Sequence, residues 1–190
     1  MRMTLNASPD LVLRRAMTQD LDVLVALNQH LIEDQAHNNP ASAEQLRSRM
    51  QGWLTGAYSV SLIEAAGHPA AYAVWRDDGE WIYLRQFFVV RQLRRSGVGR
   101  RAFAALEREW GPREVMLDVL LHNERAFGFW RSLGFRDYSL ILRRSLVAGQ
   151  NDEYASATPD GPRGVAVGSS PLRSVAASPV GAQQDSAEIG

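Results

Sequence analysis

The sequence predicts an α/β domain of the α+β kind, a central sheet flanked by helices, followed by a long unstructured tail. Three observations carry this. Hydrophobic positions shift from helical spacing to strand-like alternation and back along residues 10–146. A basic glycine loop, Arg94-Arg95-Ser96-Gly97-Val98-Gly99, joins an apolar strand to a new helix. From Val147 onward the composition collapses to Ala, Gly, Ser, Pro, Val and Gln, too little apolar surface to offset chain entropy. The expected divisions are an extension at 1–9, one domain at 10–146 and a disordered tail at 147–190.

Leu11 to Arg15 reads as the first strand. Thr18 is placed to cap a helix whose stripe, Leu21, Leu24, Leu27 (or Asn28) and Leu31, runs to about Asp34. His37-Asn38-Asn39-Pro40 breaks it. Ser42 with Gln45 makes a capping box for a second helix, which carries Leu46, Met50 and Trp53 inward and ends at Gly56. Tyr58 to Glu64 then alternates loosely, and Ala70 to Trp75 is its return strand. Asp77-Asp78-Gly79 is a hairpin signal. Glu80 to Val90 is apolar or amphipathic on both faces, as a central strand should be.

Past the glycine loop, Phe103, Leu106 and Trp110 share one side of a helix stopped by Gly111-Pro112. Val115 to Leu121 reads as a buried strand. Asn123 caps a helix with Ala126, Phe127, Phe129, Trp130 and Leu133 inward, and Gly134 closes it. Tyr138 to Leu142 is the last expected strand.

Composition narrows the chemistry. Cysteine is absent, so disulfides, thiolate metal sites and a cysteine nucleophile are excluded. The four histidines are isolated, and no metal site is expected. All 21 basic residues are arginine, which removes any lysine Schiff base or Walker-type phosphate ligand. The tail after Leu146 holds two arginines against five acids, leaving 19 against 16 before it, a surplus of three. That surplus is small for a nucleic-acid binder. No apolar run approaches the roughly 20 residues that span a bilayer, and the first residues lack a secretory signal, so a cytoplasmic location is expected.

The loop itself is suited to an anion. Glycines allow the tight turn, the first helical N–H groups are unpaired, and the helix dipole adds about half a positive charge. Five arginines (91, 94, 95, 100 and 101) surround it. A phosphate-bearing ligand is the natural expectation.

Arg94-Arg95-Ser96-Gly97-Val98-Gly99 fits the phosphate loop Arg/Gln-x-x-Gly-x-Gly/Ala of the GCN5-related N-acetyltransferase (GNAT) superfamily. Asn123-Glu124-Arg125-Ala126, the aromatic pair Phe129-Trp130, and Gly134-Phe135 fit its later signature. The chain thus resembles that superfamily over about residues 10–146. The resemblance implies a mixed, splayed sheet of about six or seven strands with helices on both faces. It implies acetyl-CoA as co-substrate and direct acetyl transfer to a primary amine of a small molecule or peptide. The pyrophosphate would rest on the backbone of Arg95, Ser96, Gly97, Val98, Gly99 and Arg100, with the side chains of Arg94 and Arg100 as phosphate contacts. Pantetheine would pair with Phe88, Val89 and Val90, and Asn123 would bond the cofactor. An N–H beside Val89 would face the acetyl oxygen.

One position departs from the pattern. Trp130 stands where the superfamily commonly has a tyrosine that protonates the departing thiolate, and indole is a donor far too weak as an acid. Tyr83 and His122 are the candidate replacements, and Glu80 is a candidate base acting through water. Two other readings stay open: a CoA-binding module without turnover, and an arginine-rich nucleic-acid binder. The acceptor and a homodimeric state are also left open. Glu33, Asp34 and Glu44 could attract a cationic acceptor or simply form a solvated helix face.

Overall fold

In the computed structural model, residues 10–34, 42–140, 142 and 188–189 are described. The chain divides into one unit of residues 1–135 with 184–190 and another of 136–183. The first carries every described strand and helix. Five strands lie in the order β1 (Leu11–Arg15), β2 (Ser59–Ala65), β3 (His68–Asp77), β4 (Trp81–Val89) and β5 (Glu114–Met116). The first three pairings are antiparallel and β4 with β5 is parallel, so the sheet is mixed. A short strand, β6 (Glu188–Ile189), runs parallel to β4 with Gln86 opposite Glu188 and Phe87 opposite Ile189.

Helices α1 (Leu21–Asp34) and α2 (Ala43–Thr55) cover one sheet face, and α3 (Val98–Trp110) and α4 (Glu124–Ser132) the other. The expected stripes are the ones that bury: Leu24, Leu31 and Met50 against Tyr72 and Phe88, and Phe103, Leu106 and Trp130 against Phe87. The capping box forms as expected, with the Ser42 hydroxyl accepting from the Gln45 N–H at 3.2 Å and the Gln45 side chain accepting from the Ser42 N–H at 2.8 Å. The hairpin turns where Gly79 takes φ 85°, and Asp77 accepts the Gly79 N–H at 2.9 Å.

A β-bulge sets which residues of β4 face which core. Along β3 the alternation is regular, with Ala71 and Ala73 in one core and Tyr72 and Val74 in the other. On β4 the pairing skips, since Trp75 opposes Leu84 while Val74 opposes Gln86. Arg85 is the extra residue, and it reverses the facing of everything after it. Ile82, Leu84, Phe87 and Val89 therefore pack under α3 and α4, while Phe88 packs under α1.

Three expectations are corrected. Thr18 does not cap the first helix. The Asp20 carboxylate does so, accepting the Met17 N–H at 2.8 Å, because a fork from Arg14 holds it in place at 2.8 Å on each oxygen. The strand expected over Val115 to Leu121 ends at Met116, where β4 and β5 part and the ladder loses its partner. Of the strand expected over Tyr138 to Leu142, the described residues 138–140 and 142 carry no regular structure, and the sixth described strand is Glu188–Ile189. The break at His37-Asn38-Asn39-Pro40 and the tail from Val147, apart from 188–189, lie outside the described residues.

The Arg14–Asp20 fork gives a pH dependence. Bonding to Arg14, against the opposing effect of burial, holds the Asp20 carboxyl below its usual range. A depressed folded value stabilises fully above the unfolded pKa of about 3.9, and the contribution is lost as pH falls through the folded value. The thermal midpoint is therefore expected to drop between about pH 5 and about pH 3. Asp20→Asn should make that drop shallower, and an unchanged slope in circular dichroism melts would contradict the assignment.

Candidate active site

Toward the end of β4 the strand stays paired to β3 on one side and parts from β5 on the other. The Val90 N–H donates to the Ala70 carbonyl at 2.9 Å, toward β3. Backbone groups alternate along a strand, so the N–H groups of Val89 and Phe87 point the other way. On that side β5 reaches only Trp81, Ile82 and Tyr83. The sheet is thus splayed beside Val89, and β6 takes up part of the opened edge at Gln86 and Phe87.

The glycine loop follows directly. A single 3-10 turn, Arg91–Leu93, leads into a left-handed pair of positions, Arg95 at φ 63° and Gly97 at φ 82°. Gly97 caps α3, and a Cβ there would meet nothing within 4 Å, so the space before the first helical N–H groups is open. Gly99 has the opposite reason to be glycine: a Cβ would come 3.2 Å from the Phe129 ring and 3.5 Å from Val89. Ser96 tightens the turn by donating to the Leu93 carbonyl at 2.6 Å, and Val98 is buried.

The arginines divide in a way the sequence does not show. The Arg94 guanidinium donates to the Val89 carbonyl at 2.8 Å and to Asp34 at 2.5 Å, and lies 5.1 Å over the Phe88 ring. Arg91 pairs with Asp34 and Glu33 at 2.7 and 3.2 Å. Burial raises the Asp34 carboxyl, but the bonds from Arg94 and Arg91 outweigh it and hold it low. These carboxylates tie the end of α1 to the loop. Arg100 reaches the Ser132 carbonyl at 3.0 Å, joining α3 to α4. Arg95 is exposed, and its side chain meets no carboxylate among the described residues.

Asn123 caps α4, its side-chain oxygen accepting the Ala126 N–H at 3.0 Å. His122 lies exposed on the turn before it. Glu80 precedes β4 at its far end, roughly 30 Å from Val89 by strand rise. Tyr83 lies on β4 and donates to Asp118 at 2.7 Å. Burial first, and the Asp118 bond second, push the Tyr83 phenol up, so it stays protonated. Trp130 is only 2% exposed, in contact with Phe129 and Phe135 at 4.9 Å between ring centroids.

Asp118 is the site residue that sequence reasoning missed. Its signal was available, as a lone carboxylate inside the apolar run Val115 to Leu121. Among the described residues no group of three His, Cys, Asp or Glu could hold a metal, and no helix is long and apolar enough to cross a membrane.

A mixed sheet that parts beside a glycine loop opening a helix defines an acetyltransferase fold. The family model described as Acetyltransferase (GNAT) family matches residues 25–135. The chain belongs to this family and is an acetyltransferase. Solved structures agree in fold. A "possible acetyltransferase" from Clostridium difficile 630 is 14% identical with a TM-score of 0.60, over 72% of this chain and 97% of its own. The aminoglycoside N-acetyltransferase AAC(6')-Iy in complex with CoA is 18% identical with a TM-score of 0.59, over 75% and 99%. The ribosomal-protein-S18-alanine N-acetyltransferase from Escherichia coli is 25% identical with a TM-score of 0.52, over 68% and 80%. No curated protein matches the sequence.

Proposed function

We propose that the chain transfers the acetyl group of acetyl-CoA directly to a primary amine of a small molecule or peptide. The observation that carries this is the parting of β4 from β5 beside Val89, next to the N-terminus of α3, an edge covered only at Gln86 and Phe87 by the short strand β6. The residues fit the ligand: the cradle at Gly97 is open, unpaired helical N–H groups face it, and the strand edge matches an amide-bearing chain. Acetyl-CoA, when bound, supplies an activated thioester.

Everything else falls to the chain. The N–H groups of Val98, Gly99 and Arg100, with the Arg95 side chain, hold the pyrophosphate. The edge of β4 orients the thioester, and an N–H at Phe87 or Val89 donates a hydrogen bond to the carbonyl oxygen as negative charge builds on it, an effect worth about 3–4 kcal/mol. Asp118, oriented by Tyr83, takes the proton from the acceptor nitrogen as that nitrogen bonds to the acetyl carbon and the C–S bond breaks. CoA leaves as a thiolate; with a pKa of about 8.5, the thiol needs no protein acid near neutral pH. Glu188–Ile189 and such a ligand cannot pair with the same edge together, so binding entails release of β6.

Calorimetric binding of acetyl-CoA, followed by thiol release over a panel of amines, tests this reading. Asp118→Asn should slow turnover by about 100-fold, the usual size of general-base catalysis, while acetyl-CoA still binds. The proposal fails if acetyl-CoA does not bind at millimolar concentration.

A further inference from the structure

The opened edge of β4 is covered by the chain's own backbone. Past Tyr83 the strand has no pairing with β5, so its outward N–H and C=O groups need another partner or water. Glu188–Ile189 gives them one over two residues, running parallel with Glu188 opposite Gln86 and Ile189 opposite Phe87. A bare strand edge is also a template for pairing with other chains, and β6 blunts it at the buried Phe87.

The cover is short and its position is selective. Strands of globular proteins average about 5–6 residues, whereas β6 has two. Few backbone bonds hold it, which places its opening at the low end of local stability. Its pairing ends at Phe87, before Val89, and Gly97 keeps open space where a Cβ would stand. The thioester end of the proposed donor site is thus occupied, while the pyrophosphate seat is free.

We infer that β6 is an autoinhibitory strand, which holds the thioester end of the donor site and is displaced by acetyl-CoA. This rests on the acetyl-CoA reading and adds a regulatory contact to it. Donor affinity is lowered in proportion to the fraction of molecules whose edge is free. A ligand that needs only the phosphate seat escapes that penalty. Turnover of the bound donor is unaffected, because the strand has already left.

Ile189→Pro in the full chain tests it. Proline lacks the N–H and does not sit within a ladder, so β6 is lost while β4 keeps its residues. Acetyl-CoA should bind this variant about three- to tenfold tighter by calorimetry, the size of losing one or two backbone bonds of the competitor. ADP, which has the pyrophosphate and no pantetheine, should bind both proteins equally. The KM for acetyl-CoA should fall in step, at unchanged kcat. Without ligand, hydrogen exchange of the β4 amides around Phe87 should be faster in the variant, and acetyl-CoA should slow it in both proteins. Glu188→Gln keeps the backbone and should match the parent. Unchanged exchange would mean that β6 does not hold the edge, and unchanged acetyl-CoA affinity that it does not compete; either overturns the inference. Equal tightening of ADP, or an equal effect from Glu188→Gln, would make charge the competitor and overturn it as well. Failure of acetyl-CoA to bind either protein would instead overturn the function reading, so the two failures are separable.

Discussion

Gly97→Glu is expected to weaken acetyl-CoA binding by about 1000-fold, about 4 kcal/mol, while the chain stays folded. The new side chain has room, since nothing lies within 4 Å of where its Cβ would stand. Its carboxylate would occupy the space before the first N–H groups of α3, the seat assigned to the pyrophosphate. There it replaces two or three charge-assisted hydrogen bonds, each worth about 1.5–3 kcal/mol, with like-charge repulsion. The fold loses less: a left-handed non-glycine residue costs about 1–2 kcal/mol, and an acid at a helix start recovers part of that. Gly97→Ala is the control, because it carries the same backbone strain without the charge. Calorimetry should show only a small loss for it. Equal losses for Ala and Glu would mean that strain, not anion competition, sets the effect. Gly99→Glu should also abolish binding, by driving a side chain between Phe129 and Val89, and it should unfold more easily than Gly97→Glu.

Trp130→Ala is expected to cost about 3–5 kcal/mol of stability, a large share of the 5–15 kcal/mol or so that holds a typical domain. Phe103 and Phe87 stand 5.2 and 5.6 Å from its ring, besides Phe129 and Phe135, so removal opens a cavity at the centre of the α3–α4 core. Phe87 also forms the edge where the thioester is proposed to rest, so binding should weaken along with stability. Trp130→Phe separates the causes. The indole N–H is buried with no hydrogen-bond partner among the described residues, so losing it relieves an unmet donor while most of the packing stays. Urea unfolding should place Phe much closer to the parent than Ala. A cost below about 1 kcal/mol for Ala would be that of a surface position and would overturn its role in the core.

Several features were legible because their causes are local. Periodicity at Leu21, Leu24 and Leu31 marks a buried helix face whatever covers it. The Ser42–Gln45 box and the Asn123 cap are bonds between residues three apart. Gly79 and Gly97 announce left-handed backbone, which other residues adopt only under strain. The glycine loop belongs to this class, being a turn and a helix start within a few residues.

What the tertiary structure alone decided is where distant groups meet. Asp34 and Arg94 are 60 residues apart, and their pairing braces the glycine loop against the end of α1. Asp20 stands as a cap in place of Thr18, held by a fork from Arg14 of β1, which also donates to Glu64 of β2. Tyr83 meets Asp118 across 35 residues of chain, at the point where β4 and β5 separate. The bulge at Arg85 leaves no mark in composition, yet it sets that side chain beside Trp53 and Tyr58. Short-range preferences fix each segment by itself. Strand parting, register slips and ion pairing depend on what the rest of the chain brings alongside.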